Sequence, residues 1–162
     1  MPAQFDSLEL SIQTKLSAMS ADPKWKDDRT LYIKNAIWKA VDPPYRFEAT
    51  IPGKRAEWMW DAIAWEEEPD TKGFLRLNLV MESELGGREK AEEDFQRLMV
   101  ARADHRLLVF DHHTENEAEE TIKECMRAAQ NFCGTQKGDR YLFACWIRQP
   151  QEHFAFWLRV VE

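Results

Sequence analysis

The 162 residues are 44% apolar and 12% aromatic, enough apolar material for one full core, so wholesale disorder is excluded. No apolar run approaches the ~20 residues that span a bilayer, and the first residues lack a basic-then-apolar leader, so the expectation is a soluble, cytoplasmic protein with no membrane partner. The net charge of −7 argues against nucleic-acid binding by bulk electrostatics, although residues 1–56 carry +2 and residues 57–162 carry −9.

Phe5, Leu8, Ile12, Leu16 and Met19 recur at three- and four-residue steps and predict an amphipathic helix closed by Asp22-Pro23. A second helix is expected over Asp27–Val41, striped by Ile33, Ile37 and Val41 and stopped by Asp42-Pro43-Pro44. The period then changes. Short strands are expected at Tyr45–Ile51 and, rich in Trp, at Glu57–Glu66, followed by the clearest strand of the chain, Phe74–Glu84. Gly86-Gly87 breaks that strand as a turn, and a helix follows over Arg88–Ala103 with Ala91, Phe95, Leu98 and Met99 inward. Arg106–Phe110 is an apolar run of the kind buried on both faces of a sheet. Thr114 and Glu117 form a capping-box signature for a helix striped by Ala118, Ile122, Cys125, Met126 and Ala129, with Gly134 as its C-terminal glycine. Two strands, Arg140–Ile147 and His153–Val161, close the chain as a hairpin around Gln149-Pro150-Gln151-Glu152. These elements predict a single α/β domain over 1–162: N-terminal helices in 1–44, a core in 45–111, and a helix plus C-terminal hairpin in 112–162, with one mixed sheet flanked by helices.

Three acids sit in strands rather than in solvated acidic runs. Asp61 lies in AEWMWDAIAW, and Glu82 and Glu84 end the next strand in LVMESELGG. Alternation puts Glu82 and Glu84 on one face, opposite Leu75, Leu77, Leu79 and Met81, and a hairpin between the two strands would set Asp61 beside Glu82. Carboxylates gathered this way repel unless a cation is present, and hard oxygen ligands suit Mg²⁺ or Mn²⁺. The plainer reading makes Asp61 a satisfied polar residue and the two glutamates a solvated strand end.

An acid in one strand, the Glu82-Ser83-Glu84 triplet ending the next, and the segment EDFQRLMVARADHRLLVF after it resemble the PD-(D/E)XK nuclease superfamily, including uncharacterised bacterial members, over Arg55–Asp111. The resemblance implies a restriction-endonuclease-like α-β-β-β-α-β core and metal-dependent phosphodiester hydrolysis on nucleic acid. It implies Asp61, Glu82 and Glu84 as catalytic residues, with Asp61, Glu82 and the Ser83 carbonyl as metal ligands. Glu84 stands where the superfamily usually has lysine; a minority of restriction enzymes keep E-x-E and remain active. Glutamate cannot supply lysine's charge, which makes Lys90 and Arg97 on the next helix candidates to replace it. Glu57 is an accessory ligand candidate, and Lys54 and Arg55 are placed to meet a phosphate. Small nucleases often dimerise, so a homodimer is open. The alternatives are a catalytically inactive binding module on the same fold and an α/β protein-interaction domain.

Other signals read as structural. Asp111-His112-His113 is expected to be a loop, lacking a third ligand at zinc-like spacing. The Glu115–Glu120 run favours a helix N-terminus, and Cys125 falls on an apolar stripe; Cys125, Cys133 and Cys145 read as reduced thiols. Lys24, Lys26, Arg29, Lys34 and Lys39, interleaved with Trp25, Tyr32 and Trp38, have two readings: a half-buried helix with its cations in solvent, or an approach to a phosphate backbone.

Overall fold

A computed structural model describes residues 4–49 and 59–162. Two helices lead, α1 (Ser7–Ser20) and α2 (Arg29–Ala40), with one turn of 3₁₀ helix (Pro23–Asp27) between them. Then come β1 (Arg46–Ala49), β2 (Ala62–Glu67), β3 (Phe74–Glu84), α3 (Arg88–Met99), β4 (Ala103–His112), α4 (Glu115–Asn131), β5 (Arg140–Ile147) and β6 (His153–Val160). The six strands form a single mixed sheet in sequence order, β1 to β6. β1, β2 and β3 are antiparallel, β3, β4 and β5 run parallel, and β5 and β6 close as the expected antiparallel hairpin.

The crossovers explain the layers. Each parallel step needs a helix, and successive crossovers of the same hand in the same direction put both helices on one face. Ala91, Phe95 and Leu98 of α3 and Ala118, Ile122, Cys125 and Ala129 of α4 pack there on Val80, Leu108, Phe110, Tyr141, Phe143 and Cys145. α1 and α2 cover the other face, with Ile12, Leu16, Ile33 and Ile37 on Leu79, Met81, Leu107, Val109, Leu142 and Trp146. Among the described residues no helix is long and apolar enough to cross a membrane.

Several boundaries differ from the sequence reading. The Trp-rich strand begins at Ala62, so Asp61 lies in the bend before it, and Thr50–Trp58 fall outside the described residues. The second helix divides at Asp28, whose side chain accepts the Leu31 N–H and caps α2 anew. α3 stops at Met99, because Ala103 and the residues after it pair with β3 from Leu77 onward. Asp111 and His112 are strand rather than loop, since β5 continues the ladder opposite them through Trp146 and Ile147. Thr114 accepts the Glu117 N–H as expected, but the Glu117 carboxylate takes the His113 N–H instead of completing the box. The α4 C-cap is Phe132 in extended conformation. Gly134 serves close approach there, because a Cβ on it would lie 2.5 Å from the Phe132 ring.

The alternation in β3 also breaks. An extra residue, Asn78, lies between Leu77 and Leu79 opposite the consecutive pair Trp65 and Ala64. Leu79 and Met81 face α1 and α2, whereas Leu77 packs with the α3/α4 cluster and Leu75 is exposed.

Candidate carboxylate site

The site lies where β3 ends. Ala62 pairs with Met81, which sets Asp61, one residue earlier, across from Glu82, as the hairpin reading required. Asp61 Oδ2 accepts the Ser83 backbone N–H at 2.9 Å, so the bend before β2 is fastened to the end of β3. Oδ1 faces the Lys34 ammonium at 3.3 Å.

Glu82 points toward the α3 side and is 2% exposed. Its Oε1 is buried without a hydrogen bond, and Arg97 Nη1 stands 3.6 Å away. Burial pushes the Glu82 carboxyl up to about 8; the charges of Asp61 and Asp94 add to the rise and Arg97 opposes it. Asp94 pairs with Arg97 at 2.9 Å, and its own carboxyl is raised by burial and by Glu84 and Asp61, against the pull of Arg97. Glu84 is partly exposed and accepts the Gly86 N–H. Its Oε1 and the Lys90 Nζ both lie within reach of a Cβ that Gly86 lacks, at 2.6 and 3.3 Å, so glycine leaves the space these side chains share.

Secondary structure explains the convergence. Lys90, Asp94 and Arg97 follow one another at four and three residues, so they form one stripe of α3 beside its buried stripe of Ala91, Phe95 and Leu98. Lys34 comes from α2 on the opposite face of the sheet and is 4% exposed. The site therefore holds four carboxyls (Asp61, Glu82, Glu84 and Asp94) with Lys34, Lys90 and Arg97 around them.

Of the residues singled out in the sequence, Asp61, Glu82, Ser83, Glu84, Lys90 and Arg97 gather here. Glu57, Lys54 and Arg55 lie outside the described residues. Lys34 and Asp94 were missed in these roles. Asp94 shares its stripe with Lys90 and Arg97. Lys34 sits one helical step from the apolar stripe of α2, and only the packing shows its ammonium turned to Asp61 rather than to solvent.

Asp61, Glu82 and Glu84 are not among the residues whose ligand atoms all lie within 4.8 Å of one another. Among the described residues one group of three meets that distance, Asp6, Glu9 and His105 at the opposite end of the sheet, and it could hold a metal ion. There Arg140 already grips both Glu9 oxygens, at 2.9 and 2.6 Å, and Asp6 and Glu9 form a reciprocal capping box for α1. Burial works to raise the Glu9 carboxyl, but hydrogen bonds from His105 and Arg140 outweigh it and hold it down at about 2. A cation would have to compete with that guanidinium fork.

On β4, next to β3, buried Asp111 pairs with Arg148 and lies 3.7 Å from Arg29. His112 bonds Thr121 at 2.8 Å, and burial holds its imidazole below the usual value. These partners give the Asp111-His112 pair a structural role. No protein-family model, curated protein or solved structure matches the chain.

Proposed function

We propose that this chain is a metal-dependent phosphodiesterase acting on nucleic acid, built on a restriction-endonuclease-like core. The carrying observation is Glu82, a carboxylate buried at a strand end beside Asp61 and Asp94, with an oxygen that makes no hydrogen bond. That oxygen has only Arg97 at 3.6 Å as a counter-charge and no hydrogen bond, so its burial costs free energy that a bound cation or a proton would relieve. The all-oxygen donor set fits Mg²⁺ or Mn²⁺ in chemistry. Asp61 and Glu82 would hold the ion, with Glu84 and the Ser83 carbonyl beside them. The chemistry an ion would supply there is a lowered pKa for an attacking water and a counter-charge for the phosphate oxygens.

The chain's own residues do the rest. Lys34 orients Asp61 from below the sheet, and the Ser83 N–H fixes its other oxygen. Arg97 stands at the rim, half exposed, where its guanidinium can leave Asp94 for a phosphate oxygen. Lys90, beside Glu84, adds a second cation to a site whose E-x-E triplet supplies none. The order of elements, α2-β1-β2-β3-α3-β4, supports the reading, as does the placement of the site at the carboxyl end of β3.

One observation favours the inactive binding module instead: both Asp61 oxygens are already engaged, by Ser83 and Lys34. Calorimetric titration of Mn²⁺ into wild type, Asp61→Asn and Glu82→Gln, with nuclease assays on the same samples, separates the two. The enzyme reading expects metal binding and cleavage in wild type and loss of both in each variant. Absence of metal binding with nucleic acid present sinks it.

A further inference from the structure

The basic and aromatic stretch of residues 24–39 divides in the structure. Trp25 is fully buried against Trp146, their ring centroids 4.7 Å apart, and Lys34 is committed to Asp61. Its outer part remains at the surface. Tyr32, Asn35, Trp38 and Lys39 of α2 and Lys15 of α1 line a groove of about 570 Å³ between the two helices. Trp38 is 58% exposed, an unusual placement for the largest side chain. No ion pair involves Lys15 or Lys39 among the described residues, and Asp22, the acid on this groove, is turned to the Lys24 N–H as a cap. On a chain of net charge −7, an exposed aromatic plate that shares a groove with two lysines is a local reversal of sign.

We propose that this groove binds single-stranded nucleic acid, with Trp38 stacking one base and Lys15 and Lys39 meeting the phosphates on either side. An exposed indole accepts any base on its face, and the cations favour the polyanion. Asn35 offers both a donor and an acceptor to a base edge. Lys34 and Trp38 are one helical turn apart on α2, about 6 Å along the axis. Lys34 is buried against Asp61, so the strand lies over Trp38 on the outer side of α2 and makes no contact with that ammonium. A duplex keeps its bases stacked inside and gives the indole nothing to cover. The proposal rests on the phosphodiesterase reading for its purpose, capture of a single-stranded substrate, and its binding test stands without metal.

The test is fluorescence anisotropy of a labelled oligothymidylate of roughly 15 nucleotides, long enough for one such site, in EDTA with the full chain. A duplex of equal length and poly-glutamate serve as competitors. Wild type should bind the single strand more tightly than the duplex. Trp38→Ala should weaken binding by at least about fivefold, and Trp38→Phe should recover most of it. Lys15→Gln/Lys39→Gln should flatten the log–log salt dependence by about 1.4, the value for two single-strand phosphate contacts. A merely structural role for these residues would leave that slope unchanged. No binding by wild type, variants that bind like wild type, or equal competition by poly-glutamate would overturn the proposal. Intact binding with no cleavage in Mn²⁺ would sink the phosphodiesterase reading and leave the groove standing. Cleavage of single strands unaffected by Trp38→Ala would do the reverse.

Discussion

Replacing Glu82 by glutamine keeps the shape of the side chain and removes the charge that burial opposes. The folded carboxyl titrates at about 8 against an ordinary value of 4.5. That gap corresponds to about 4–5 kcal/mol at 1.36 kcal/mol per pH unit, an order-of-magnitude figure. The sign follows from the raised pKa. Below about 4.5 both folded and unfolded carboxyls are protonated and the group has no effect. Between there and about 8 the unfolded chain ionises while the folded one holds its proton, so stability falls as pH rises; above about 8 the full cost is present. Urea denaturation of wild type and Glu82→Gln at pH 5 and pH 9 reads this directly. Wild type should lose roughly 3–5 kcal/mol more than the variant between those two values. The comparison cancels any pH-independent cost of placing an amide beside Arg97, and it cancels groups common to both proteins, including His112. Equal pH dependence in the two would show that Glu82 ionises without penalty and would refute the argument that its carboxylate is frustrated. Mn²⁺ at pH 8 should raise wild-type stability and leave the variant unmoved, since a ligand that binds the folded form alone stabilises it.

Lys34→Met leaves Asp61, a quarter exposed, without its ammonium; a double-mutant cycle with Asp61→Asn should give a coupling of about 1–2 kcal/mol by urea denaturation at pH 7, and a coupling near zero would show that the pair does not hold the bend. Glu9 is held at about 2, so its contribution is present above 4.5 and is lost as pH falls through about 2. Glu9→Gln should therefore cost roughly 3 kcal/mol at pH 7 and progressively less in acid. An acid-unfolding midpoint unchanged by that substitution would contradict it. Burial pushes the Cys125 thiol up to about 12 and raises Cys145 as well, whereas Cys133 is exposed. A thiol reagent should accordingly modify one cysteine quickly in the native protein and all three in denaturant, and fast reaction at Cys125 would argue against a closed α4 face.

Much of the architecture is written in local periodicity. The helix stripe of Ile12 and Leu16, the strand runs of β3 and β5, and the proline and glycine stops depend on neighbours along the chain, so the order of elements and the mixed α/β class could be read directly. The C-terminal hairpin and the placement of Asp61 opposite Glu82 belong to the same category, because an antiparallel pair joined in sequence has few registers to choose from. Boundaries set by partners were not legible. Asp111 and His112 look like a loop until β5 supplies carbonyls and N–H groups beside them. The single extra residue at Asn78 turns Leu77 away from the face that simple alternation assigns to it.

The site divides along the same line. That Glu82 and Glu84 share a strand end follows from the sequence, since side-chain direction in a strand repeats every two residues. Their environment was decided only by packing across the sheet: α3 brings Asp94 and Arg97 over one face while α2 sends Lys34 through from the other. No local pattern marks Lys34 as buried, because a long aliphatic stem on the margin of an apolar stripe reaches water or the interior equally well in isolation. The tertiary structure settles the direction, since helix packing leaves Lys34 almost no route to solvent and an aspartate waits at 3.3 Å.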